Sequence, residues 1–289
     1  MVWKFCTSLR LKIKSVDQLA FFSKHFPSLT SIELTSPHIA HINTVMPLLL
    51  SIISQLRSLE IVVPAYQTKL LDLSLLAQYT ALQRLRMPSG ATTLSMTDVE
   101  FAWLTNLQRL TQLKLDETPP FDCIKTLRQL TNLRALMVNM HVIQDESLAP
   151  LSKLQQLELG VVHNILPFDI HLLTNLESLS FSINARDPTV ILESLTRLTC
   201  LDVSSIGLAI DSDSFDRVAQ LTNLRSLRMA LRWFLDTHYF DADDISSFVS
   251  LRQLTRLDLH HVITPDTAAN LAKHLPTLLH LRIDGVHIF

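Results

Sequence analysis

Glycine is scarce here, with four residues in 289, and the chain contains no P-loop, no G-x-S-x-G and no H-E-x-x-H. Those absences remove the usual sequence signatures of phosphate cradles, hydrolase nucleophiles and zinc proteases. Cysteine is almost as rare. Cys6, Cys123 and Cys200 are odd in number, widely spaced and free of any C-x-x-C. The chain has nine asparagines but no N-x-[S/T] sequon. A disulfide-poor, sequon-free chain is expected in a reducing compartment, cytoplasmic with the nucleus also open.

Long apolar runs are missing too. The longest, around Val45–Ile53, is far below the roughly 20 residues that span a bilayer, and the N-terminus lacks a continuous apolar signal segment. No membrane association is expected. Net charge is −2 and no lysine-arginine run forms a basic stripe, so nucleic acid is not expected as a partner. No Pro/Gly/Ser-rich linker interrupts the chain, which reads as one body over residues 1–289.

What is abundant is leucine, in phase. Eleven times an opening leucine begins the pattern L-x-x-φ-x-φ (φ is any apolar residue): Leu29, Leu56, Leu82, Leu110, Leu133, Leu154, Leu176, Leu198, Leu224, Leu254 and Leu278. An apolar residue stands three positions before each, from Phe26 to Leu275. The closing φ-x-φ alternates with period two, as in Leu157-Glu158-Leu159, which predicts a short half-buried strand. Upstream the period is three, as in Leu148, Leu151, Leu154 and Leu157, which suits a 3₁₀ turn or a last helical turn running into the strand. Successive strand anchors are 21 to 30 residues apart. A periodic unit of this kind cannot bury its apolar face alone, so units must stack. Residues 26–289 supply eleven such units, and residues 1–25, with Cys6, Leu9 and Leu11 in phase, a degenerate first one.

The chain resembles the leucine-rich repeat family over essentially its whole length. LTNL at 130–133, 173–176 and 221–224, in identical phase, is similar to a phrase found in internalin-like bacterial and F-box-type repeats. The resemblance implies an α/β solenoid of about twelve parallel strands on a concave face, in an open horseshoe or arc, with a helical to irregular convex side. It also implies a non-catalytic scaffold that binds a protein partner, with substrate recognition in a ubiquitin-ligase-type complex as its specific form. No F-box-like segment precedes the repeats, so any adaptor-binding part is expected outside this chain. A regulatory activator, an enzyme-associated subunit, or an effector or sensor module of a longer protein is the alternative. One departure matters. The family's Asn or Cys, three residues after the last strand leucine, is matched here only by Asn184; elsewhere stand Pro37, Val162, Ile206, Arg232 and others. An asparagine ladder is absent, and the turns must be satisfied otherwise.

Length differences carry a further expectation. The central units are 21 to 23 residues long, which leaves little room for a convex helix. The flanking units are longer and carry helix-start signals: Ser15…Gln18, Thr97…Glu100, Asp187-Pro188 and Thr264-Pro265.

Candidate contact residues follow from strand alternation. Residues between the buried anchors face the concave side, and from these we single out Arg86, Lys114, Met137, Asn139, Glu158, Ser180, Asp202 and Arg228. Their arrangement suits a charge-patterned groove for a protein partner. The competing explanation is a solvated sheet face whose opposite charges satisfy one another. A second candidate surface is the least repeat-like stretch, 230–250, where Trp233, Tyr239 and Phe240 stand among aspartates. Aromatics of this kind are enriched in interface hot spots. His260, His261 and His280 do not converge as zinc requires, because consecutive strand residues point to opposite faces. No metal, no cofactor and no catalytic residue is expected.

Overall fold

Leucines three residues apart can share one face only if the backbone turns with three residues per turn. The backbone does this. Within the repeats each leucine amide donates to the carbonyl three residues earlier: Leu107 to Leu104, Leu110 to Leu107, Leu130 to Leu127, Leu133 to Leu130, Leu195 to Leu192, Leu198 to Leu195, all at 2.8–3.0 Å. The structure is a computed structural model that describes residues 6–12, 25–26, 28–36, 39–52, 55–62, 73–87, 102–116, 123–138, 148–162, 169–183, 189, 192–206, 212–232, 246–259 and 265–283.

Every repeat delivers its chain into one short strand. The chain divides into two compact units, 1–139 and 140–289. The first holds β1 (Ser8–Lys12), β2 (Ser31–Thr35), β3 (Ser58–Val62), β4 (Arg84–Met87), β5 (Gln112–Leu115) and β6 (Ala135–Val138). The second holds β7 (Gln156–Val162), β8 (Ser178–Ile183), β9 (Cys200–Ile206), β10 (Ser226–Arg232), β11 (Arg256–Leu259) and β12 (His280–Ile283). Within each unit the strands pair in chain order and in parallel, anchor opposite anchor: Leu59 faces Leu85, Leu85 faces Leu113, Leu179 faces Leu201, Leu201 faces Leu227. Parallel neighbours are the only solution when each strand is followed by a return connection on the same side. The twelve parallel strands expected from the repeat are present.

The core is the leucine array. Ten of the eleven opening leucines are buried; Leu278 is only half-buried. The reason is positional. A repeat is covered by the neighbours on its two sides, and β12 is the outermost described strand, so Leu281 is 37% and Leu279 77% exposed.

The connections follow the length expectation only in part: among the described residues the units holding Leu73–Gln78, Ala102–Asn106 and Ser246–Ser250, which include the longest, show 3₁₀ turns rather than α-helix. Longer units contain the helices Ile39–Ile52, Ser212–Ala219 and Pro265–His274, the last with proline at its first position. The central units manage five residues of helix (Cys123–Leu127) or 3₁₀ turns alone (Ala149–Leu151, Ile170–Leu172). The signals at Ser15, Thr97 and Asp187 lie outside the described residues. The helix Ile39–Ile52 contains Pro47 and is tied to the next repeat by Tyr79, whose buried hydroxyl donates to the Met46 carbonyl. Burial pushes the Tyr79 phenol well above the ordinary tyrosine range.

Two side-chain ladders stitch the strand starts together. Within each unit, where a described repeat follows, the carbonyl of the residue after the opening leucine accepts two amides from that repeat, as Gln83 does from Thr111 (2.8 Å) and Gln112 (3.0 Å). Where the donating residue is threonine, its hydroxyl adds a third bond to the same oxygen: Thr111 Oγ1 to Gln83, Thr199 Oγ1 to Glu177 (both 3.0 Å), Thr255 Oγ1 to Arg225 (2.9 Å). The LTNL asparagines form the second ladder. Asn132, Asn175 and Asn223 donate from Nδ2 to the carbonyls of Gln108, Ser152 and Thr196 in the preceding repeats, at 3.0, 2.9 and 2.8 Å. At the far end of the strand, where the family's asparagine would stand, Val162, Ile206 and Arg232 are still in strand. Arg232 lies opposite Ile206 and Val162 opposite Ile183 in the ladder, which pairs backbone groups a turn would have left open.

Candidate functional site: the strand face

Alternation along each strand sets the face. In β2 and β3 the buried residues are Ile32, Leu34, Leu59 and Ile61, and the intervening side chains are half-exposed. Register then lines up one residue per repeat. In the first unit the row reads Arg10, Glu33, Glu60, Arg86, Lys114, Met137. In the second it reads Glu158, Ser180, Asp202, Arg228, Asp258, Arg282. Of the sequence-derived candidates, Arg86, Lys114 and Met137 stand together in the first row and Glu158, Ser180, Asp202 and Arg228 in the second. Asn139, Trp233, Tyr239 and Phe240 lie outside the described residues.

Most charges in these rows have found each other. Arg10 meets Glu33 at 2.6 Å, and Arg86 spans Glu60 at 3.0 Å and Asp116 at 3.5 Å. Lys114 also reaches Asp116, and Arg228 reaches Asp202, both at 3.5 Å. All are at least a fifth solvated, so each stabilises by only ~0–1 kcal/mol. Their larger effect is to hold side chains in place. Glu158 is different: it is exposed, and among the described residues it has no ion pair or hydrogen bond through its carboxylate. Met137 and Ser180 give half-exposed, uncharged positions in the two rows.

Asp258 breaks the pattern of a solvated row. It is 5% exposed, because Arg256, two residues earlier on the same strand, folds over it. Nε and Nη2 of that guanidinium lie 2.9 and 2.8 Å from a single carboxylate oxygen, Oδ2. Arg228 and Arg282 stand opposite on the flanking strands. The sequence carried a signal for this: Arg-x-Asp on one strand face, with arginine at the matching position of both neighbours. Beside Asp202 the face is floored by small side chains, Ser178, Ser182 and Ser204. A bulge between Leu159 and Val161 leaves Gly160 as the extra residue of β7, and its position tolerates one.

These rows of short parallel strands, one per 21–30 residues and joined by 3₁₀ turns through leucines, define the architecture. The chain has the leucine-rich repeat fold. Solved structures that share it include an internalin (InlF) from Listeria monocytogenes, 20% identical, TM-score 0.63, covering 98% of this chain and 82% of that one. A leucine-rich repeat protein of Leptospira interrogans is 18% identical, TM-score 0.53, over 95% of this chain and 81% of its own. The ectodomain of the Arabidopsis receptor kinase HAESA, solved with a peptide hormone ligand, is 15% identical, TM-score 0.52, over 90% of this chain and 42% of its own. At these identities the likeness concerns the fold. No protein-family model and no curated sequence matches the chain.

Among the described residues of this leucine-rich repeat array, no three or more His, Cys, Asp or Glu side chains gather as a metal would need. No described helix is long and apolar enough to cross a membrane.

Proposed function

We propose that this protein is a non-catalytic interaction scaffold that engages a protein partner on its strand face. The observation that carries the reading is the register. Strand after strand presents one solvent-facing side chain at the same height, while the residues on either side are locked in the leucine core. Ion pairs pre-order Arg86, Lys114, Asp202 and Arg228, which lowers the entropy lost when a partner binds. A repeat array of this kind offers an extended surface and no enclosed chemistry, and a neighbour of the same fold was solved with a peptide bound.

Glu158, Ser180 and Met137 are the positions we assign to direct contact, because their side chains are available without breaking an ion pair. The finer reading, substrate recognition within a ubiquitin-ligase-type complex, follows from the LTNL resemblance, and its cytoplasmic setting from the scarce cysteines and the missing sequon. The test is affinity capture with the full chain, then Glu158→Lys and Ser180→Arg variants. Loss of the captured partner at an unchanged melting temperature supports the strand face. Retention by both variants contradicts it. Co-capture of ligase subunits tests the finer reading, and their absence from the specific set contradicts that part alone.

A further inference from the structure

The chain as a whole is slightly acidic, yet its first unit is not. Among the described residues of that unit the carboxylates are Glu33, Glu60 and Asp116, and all three are held in ion pairs on the strand face. Its arginines are more numerous. Arg57, Arg84, Arg109 and Arg134 are all exposed, and within the described residues none of their side chains meets a carboxylate or an acceptor. They come from four consecutive repeats. Each lies between one residue before and two residues after its opening leucine, where the chain turns into the strand.

The backbone ladder fixes their neighbourhood. The Gln83 amide donates to the Arg57 carbonyl at 2.7 Å, Thr111 to Gln83 at 2.8 Å, and Arg134 to Thr111 at 2.8 Å. Arg84 stands opposite Gln112 in β5. Four guanidiniums that are 25 to 27 residues apart in sequence therefore share a rim about 14 Å long, three strand spacings of ~4.8 Å. Exposed Gln83, Gln108 and Gln112 are interleaved. The corresponding rim of the second unit differs in carrying a carboxylate: Glu177 sits on it and takes Arg197 at 3.2 Å, and Arg197 also bonds Asn175, while Arg225 and Arg252 stand exposed.

We propose that this rim of the first unit, distinct from the row of Arg86 and Lys114, docks an extended Asp/Glu-rich segment of a protein partner. Like-charged guanidiniums held side by side without counter-charge raise the local potential and attract carboxylates. The planar fork of arginine binds a carboxylate through two parallel bonds. An extended chain advances ~3.3–3.6 Å per residue, so four or five residues span the rim, with alternate side chains facing it. Single-stranded nucleic acid fits less well. Its binding platforms stack bases on aromatic side chains, and the rim is built of arginine, glutamine and threonine.

The probe is fluorescein-labelled pentaglutamate, titrated against the full chain by anisotropy at low and near-physiological ionic strength. Saturable, salt-sensitive binding is expected. Arg84→Gln with Arg109→Gln should weaken it about tenfold, the combined effect of two exposed charge-assisted contacts. Arg57→Gln with Arg134→Gln should act in the same direction. Arg225→Gln with Arg252→Gln, exposed on the rim of the second unit, should leave affinity within about twofold. Absence of saturable binding at low salt overturns the proposal, as does equal loss in the control pair. Tighter, equally arginine-dependent binding of a single-stranded oligothymidylate of matched charge would reassign the rim to nucleic acid and overturn it too.

Discussion

Leu179 and Leu281 occupy the same place in the repeat, yet truncating them should have very different consequences. Each is the strand anchor of its unit, and by sequence alone they are equivalent. Leu179 is 0% exposed, packed in register between Leu157 and Leu201. Leu281 is 37% exposed and, among the described residues, has a strand on one side only, opposite Leu257. Full burial of a leucine side chain is favourable by ~1.5–3 kcal/mol. The cavity left by truncation adds to this, giving ~2.7–5 kcal/mol for Leu→Ala in a rigid core. Leu179→Ala should therefore cost about 3 kcal/mol or more. Leu281→Ala forfeits only part of the transfer energy and leaves an open dent that water fills, so about 1 kcal/mol is expected. Urea unfolding followed by far-UV circular dichroism reads the difference as a shift in midpoint. Because repeats couple mainly to neighbours, Leu179→Ala should also split or broaden the transition. Equal losses at the two positions would refute the claim that stacking on both sides, rather than the motif itself, supplies the stability.

Three further outcomes follow from the same structure. Tyr79→Phe removes the hydroxyl that ties the Met46 carbonyl and should lower stability by about 1 kcal/mol, read as a small drop in Tm. The raised Tyr79 phenol also gives a pH dependence. Above pH ~10 the unfolded tyrosine releases its proton while the folded one keeps it, so stability falls as pH rises. The fall should be shallower in Tyr79→Phe, and identical alkaline slopes would contradict it. Thr199→Val deletes only the third bond to the Glu177 carbonyl, which keeps its two amide donors. Its cost should stay near ~0.5 kcal/mol, below that of Asn175→Ala, which loses bonds to both Ser152 and Arg197.

The strands and the core were legible because leucine phase is a direct record of burial: one slip in register would have exposed every anchor. Register in turn made the rows Glu60–Arg86–Lys114 and Glu158–Ser180–Asp202 readable before any coordinates. What the phase could not show was the state of those side chains. That Arg86 bridges two carboxylates, or that Asp258 is covered by Arg256, depends on side-chain reach rather than on spacing. Nor could a scan for consecutive basic residues find Arg57, Arg84, Arg109 and Arg134, which become neighbours only once each repeat is aligned on its opening leucine. The exposure of Leu278 and Leu281 was hidden for a related reason. The motif states what a residue would bury against, not how completely its described neighbours cover it.

The strand-face account is tested most directly at Glu158. It is exposed and, among the described residues, its carboxylate makes no ion pair or hydrogen bond, so reversing its charge breaks no polar side-chain contact described there. Affinity for the captured partner, measured for the wild-type chain and for Glu158→Lys with the melting temperature of each, isolates binding from folding. The account predicts at least a severalfold loss of affinity, chiefly through a slower on-rate and an altered salt dependence, with no change in melting temperature. Unchanged affinity at every ionic strength would contradict it.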